Sequence, residues 1–63
     1  MNRPLTELEL AKRWGLSPRT LQMWRKDGIG PAFIDIGRNT IRYRVEDVIA
    51  YEESRIKTQG KAK

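Results

Sequence analysis

Between Ser17 and Lys26 the chain carries Arg19, Thr20, Gln22, Arg25 and Lys26, with no carboxylate among them. Guanidinium and ammonium groups attract phosphate, and a carboxamide that donates and accepts at once matches the polar edge of a base. A second cluster, Arg38-Asn39 followed by Arg42 and Arg44, adds more cationic donors. Other chemistries lack their parts. The 63 residues include no histidine and no cysteine, which removes the commonest general base, the commonest metal ligand and every thiolate. Asp47, Glu52 and Glu53 fall on one exposed helix surface with no convergent pocket, so an enzyme is not expected. Neither a metal nor a cofactor is expected.

The 13 Lys+Arg and 8 Asp+Glu leave a net charge of +5. Its placement is uneven: residues 1–30 are net +3, residues 31–56 net −1, and residues 57–63 net +3. The last segment has no apolar periodicity and reads as a disordered basic tail. Charges at Arg3, Glu7, Glu9, Lys12 and Arg13 argue against a signal peptide, and no apolar stretch approaches the ~20 residues that span a bilayer. A small cytoplasmic module with no membrane partner is expected. At this size a domain buries only about 60% of the surface its unfolded chain exposes, so its stability is marginal or shared.

The elements that must position these side chains are legible in turn. Thr6-Glu7-Leu8-Glu9 is a capping box, with Leu5 and Leu10 placed as a hydrophobic staple. Glu7 and Glu9 early, with Lys12 and Arg13 late, complement the helix dipole. Leu10, Ala11 and Trp14 form an apolar stripe and Gly15 a stop, which predicts helix one over 7–14. Ser17 is an N-cap and Pro18 a first helical residue, and helix two then runs to Asp27-Gly28. Two short helices joined by Gly15-Leu16-Ser17 predict a helix-turn-helix, with Ala11 small enough for close approach and Leu16, Leu21 and Trp24 filling the angle. At about 100° per residue, Arg19 and Lys26 point away from Leu21 and Trp24. Gln22 and Met23 flank them, while Thr20 and Arg25 lie nearer the core edge. Ser17 and the start of helix two offer donors to a phosphate.

After Pro31 the pattern alternates. Ile34 and Ile36, then Ile41 and Tyr43, predict two strands around a Gly37-Arg38-Asn39-Thr40 turn. Pairing Gly37 with Thr40 sets Ile36 opposite Ile41, Asp35 opposite Arg42 and Ile34 opposite Tyr43, with the apolar residues covering the helices. Arg42 then either pairs with Asp35 or joins Arg44 on a basic wing; Arg38 at the tip has no such competitor. Helix three opens at Val45 and runs to Arg55, apolar along Val45, Val48, Ile49 and Tyr51 and acidic along Glu46, Asp47, Glu52 and Glu53. The fold expected for residues 1–56 is a winged helix-turn-helix, mainly α with a small β-hairpin.

Two stretches, LTELELAKRWGLSPRTLQMWRKDGIGP and AFIDIGRNTIRYRVEDVIAYEESR, resemble the small winged helix-turn-helix proteins of the phage excisionase and AlpA-like regulator group, distant relatives of the MerR-type DNA-binding domain. The resemblance covers residues 5–55. It implies that helix two enters the major groove of double-stranded DNA and that the hairpin contacts the adjacent backbone or minor groove. It also implies a role in prophage or mobile-element control, either as a directionality factor bending attachment-site DNA for an integrase or as a transcriptional regulator. Asp35 departs from the group, where a basic residue is frequent in the first wing strand. With no effector-binding or dimerisation element read after helix three, a ligand-sensing regulator is not expected. The small module predicts cooperative contacts between adjacent protomers on DNA. A rival reading makes acidic helix three a docking surface for a recombinase.

Overall fold

In the computed structural model, which describes residues 3–57, Leu5–Thr6 forms a short strand, β1, and Thr6 then caps helix α1 (Glu7–Trp14). The capping box is complete: the Glu9 amide donates to Thr6 Oγ1 at 3.1 Å and the Thr6 amide to the Glu9 carboxylate at 2.8 Å. The Thr6 amide, and then the Arg3 guanidinium, hold the Glu9 carboxyl below its usual range. Gly15 ends α1 at φ 69°, a left-handed conformation that suits a residue without Cβ. The Leu16 amide donates to the Ala11 carbonyl at 2.8 Å and the Gly15 amide to Lys12 at 3.3 Å, satisfying carbonyls the helix leaves open. Ser17 caps α2 (Pro18–Asp27), and Gly28 and Ile29 close it with the same pair of bonds, to Arg25 and Trp24. Gly30 then passes the Trp24 indole so closely that a Cβ would lie 3.1 Å from the ring.

β2 (Ile34–Gly37) and β3 (Thr40–Tyr43) make the expected hairpin, but the sheet has three strands, in the order β1-β3-β2. Leu5 stands opposite Tyr43 and Thr6 opposite Arg42. A two-residue strand running directly into a helix cap has no alternation to announce it. The hairpin register also differs from the one expected. Gly37 pairs with Thr40, yet Asp35 lies opposite Ile41 and Ile34 opposite Arg42, leaving Ile36 as the extra residue of a bulge. A local bond curls the strand there: the Asp35 carboxylate accepts from the Gly37 amide at 3.0 Å. The slip turns the apolar pattern over. Ile34 and Ile36 are 39% and 64% exposed rather than packed on the helices. Arg42 is not paired with Asp35, and its guanidinium donates instead to the Ile41 carbonyl at 2.8 Å.

β3 therefore carries the sheet's share of the core. Ile41 and Tyr43 are buried with Leu10 and Ala11 of α1, Leu21 of α2 and Val48 of α3 (Val45–Arg55). Leu5, Trp14, Leu16 and Trp24 close around them. Burying one leucine of this kind contributes about 1.5–3 kcal/mol, so Leu10 and Leu21 dominate the helix-turn-helix angle. Burial also pushes the Tyr43 phenol upward.

The acidic face expected on α3 is partly spent inside the fold. Arg13 grips Glu52 with Nε at 2.6 Å and Nη2 at 2.9 Å, and Trp14 Nε1 donates to the same carboxylate at 2.6 Å. Those bonds hold the Glu52 carboxyl at about 2 and clasp α1 to α3. Beside the clasp the rings of Trp14, Trp24 and Tyr51 meet, their centroids 5.8 to 6.4 Å apart. The architecture is a winged helix-turn-helix, three helices with a small antiparallel sheet. The basic tail expected over 57–63 lies, from Thr58 onward, outside the described residues.

Candidate nucleic-acid interface

Leu21 and Trp24 hold α2 against the core, and that orientation dictates what it shows to solvent. Arg19, Gln22, Met23 and Lys26 are exposed, whereas Thr20 and Arg25 are half-buried at the edge. Met23 is 56% exposed, an apolar surface beside the polar donors. At the start of α2 the Ser17 and Thr20 hydroxyls lie 3.2 Å apart, and Ser17 Oγ accepts from the Thr20 amide at 3.4 Å. Ser17 thus serves first as a cap.

The wing tip stands beside this face. Arg38 and Asn39 both take positive φ, 52° and 61°, as a tight two-residue turn between right-twisted strands requires. Both side chains are exposed. Asn39 shares one cleft of about 370 Å³ with Glu7, Gln22, Arg25 and Lys26, so the tip and α2 flank a common groove. Arg42 is half-buried behind the tip. Arg44 faces the start of α3, donating from Nε to Asp47 Oδ2 at 2.7 Å, and this bond raises its pKa further. Arg19, Lys26, Arg38 and Arg42 make no ion pair among the described residues.

One participant escapes a reading of the sequence. α2 carries no acid between Pro18 and Lys26, but α1 lays Glu7 along its edge, where the carboxylate accepts from Gln22 Nε2 at 3.2 Å and from Arg25 Nη1. The Arg25 guanidinium also lies over the Phe33 ring, 5.8 Å from its centroid. Glu7 in a first helical turn looks like a dipole partner; only the crossing of α1 and α2 reveals its other use. Phe33, just ahead of β2, gave no signal either.

The acids of α3 are partly engaged. Asp47 and Glu52 are held by Arg44 and Arg13, and exposed Glu46 lies 4.0 Å from the same Arg44, so Glu53 is the exposed acid of α3 outside these pairs. Among the described residues no helix is long and apolar enough to cross a membrane. An α-helix fits the major groove of B-DNA, about 12 Å wide. No curated protein and no solved structure matches the chain significantly. The model of a family described as a helix-turn-helix domain does match, over residues 5–56, and the chain therefore belongs to this family of small excisionase- and AlpA-like DNA-binding domains.

Proposed function

We propose that the protein is a recombination directionality factor of the excisionase type, which binds and bends attachment-site DNA cooperatively beside an integrase. α2 docks in the major groove with Arg19, Gln22, Met23 and Lys26 toward the bases, and Arg38 and Asn39 of the wing grip the backbone or minor groove. The observation that carries this reading is the shared cleft between an outward α2 face and an arginine-tipped turn. Single modules bury only about 600–1,000 Å² on DNA, so useful affinity calls for neighbouring protomers. The open edge of β2, with Ile34 and Ile36 exposed, supports such self-association, because an unpaired strand edge favours contact with another chain.

The test is a titration on duplexes that the protein enriches from a randomised pool. More than one protomer per duplex, a steep isotherm and altered mobility of circularly permuted fragments are expected. Independent binding of a single protomer to straight DNA would overturn the cooperative, bending reading. Repression of a promoter without any stimulation of integrase-dependent excision would assign the AlpA-like regulatory role instead. Docking of a recombinase through α3 has less support, since Arg13 and Arg44 already pair with three of the four acids assigned to it, Glu52, Asp47 and Glu46.

A further inference from the structure

Glu7 lies at the first position of α1, yet its two carboxylate oxygens serve α2, Oε1 bound by Gln22 and Oε2 by Arg25. The ion pair is mostly covered, with Glu7 at 19% and Arg25 at 21% side-chain exposure. The Phe33 ring also stacks on the guanidinium, its centroid 5.8 Å from Arg25 Cζ. A carboxylate beside a surface that meets phosphates opposes binding, since like charges repel. Here Arg25 cancels it, and the pair adds no net charge to the interface. Gln22 gains a fixed amide in return. With one Nε2–H on Glu7, the second N–H and Oε1 remain free, the donor–acceptor pair that an adenine edge accepts.

We propose that Glu7 is a specificity-determining residue of the interface: it withholds Arg25 from phosphate and sets the Gln22 amide for a base edge. Arg25 is then a positioning residue and not a contact to DNA. The proposal rests on α2 docking in the major groove. Once the Glu7 charge is removed, Arg25 reaches phosphate on any sequence, so affinity rises while selectivity falls.

The full chain is titrated across a salt series with two probes, the duplex it enriches from a randomised pool and a scrambled duplex of equal length. All variants are measured well below their melting midpoints. Glu7→Gln is expected to tighten binding to the scrambled duplex by about eightfold at about 0.1 M salt, and to steepen the slope of log K against log salt by about 0.9, the worth of one phosphate contact. The ratio of the two affinities shrinks. Adding Arg25→Gln to Glu7→Gln returns the slope to its original value, which a merely structural role for Glu7 would not do. Arg25→Gln alone leaves Glu7 uncancelled and weakens binding to both probes. An unchanged slope and ratio for Glu7→Gln would overturn the proposal. Arg19→Ala separates it from the docking mode. If that variant weakens binding to the enriched duplex while Glu7→Gln changes nothing, docking stands and the role of Glu7 falls. If Arg19→Ala leaves the enriched duplex unaffected, docking falls and the proposal with it.

Discussion

Arg19 and Arg38 are exposed and free of ion pairs among the described residues, but they sit on different elements and should report different contacts. Arg19→Ala is expected to lower affinity for the enriched duplex by about 1–3 kcal/mol, with little change on scrambled DNA, as for a contact to a base edge. Equal loss on both duplexes in a gel-shift comparison would make it a phosphate contact. Arg38→Ala should instead reduce the salt slope by about 0.9 on any sequence, and an unchanged slope would remove the wing tip from the interface. The outward direction of Arg19, Gln22, Met23 and Lys26 is legible in the sequence because angle on a helix follows from spacing alone. The company kept by Arg25 and Glu52 is not. The partners of Arg25 and Glu52 come from helix crossings, which local periodicity does not encode, whereas Arg44 meets Asp47 three residues on.

The elements divide along the same line. Both helix ends of the helix-turn-helix can be read residue by residue, since caps and stops act within a few positions of themselves. Gly15 offers the clearest test. No atom would meet a Cβ there, so Gly15→Ala brings only the backbone strain of φ 69°. A loss of roughly 1–2 kcal/mol in urea unfolding is expected, with DNA contacts retained in the folded fraction. A loss far above that range would mean that the turn is packed, contrary to the open space beside it. The sheet is less legible. Alternating residues announce two strands, but a bulge with a local Asp35–Gly37 bond inserts one residue, so that Ile41 is covered as expected while Ile34 and Ile36 are exposed. Register is a long-range property with a period of two, so a local bulge inverts it at small cost. The exposed edge that results is the surface on which the self-association reading depends.

At the scale of the molecule, a 63-residue chain has roughly 3–9 kcal/mol of stability to lose, and each long-range tie counts. The Arg13–Glu52–Trp14 clasp is the tie most open to acid. The folded carboxyl titrates at about 2, below its ordinary 4.5, because Arg13 and then Trp14 donate to its charged form. A depressed pKa means that the folded state binds its proton later than the unfolded state. The clasp therefore contributes fully above about pH 4.5, and its contribution is lost as pH falls from there through about 2. Thermal melts across that window should fall more steeply for the natural chain than for Glu52→Gln, and parallel curves would show the clasp to be idle. The pairing of Leu5 with Tyr43 bears on how the molecule comes into being. The ribosome completes α1 and α2 before it has made Ile41, Tyr43 or Val48, the residues that cover Leu10 and Leu21. The helix-turn-helix is thus synthesised before the residues that cover its core. Until β3 slots between β1 and β2, a nascent helix-turn-helix has no lid over its core, and the wing serves as the closing piece of the fold.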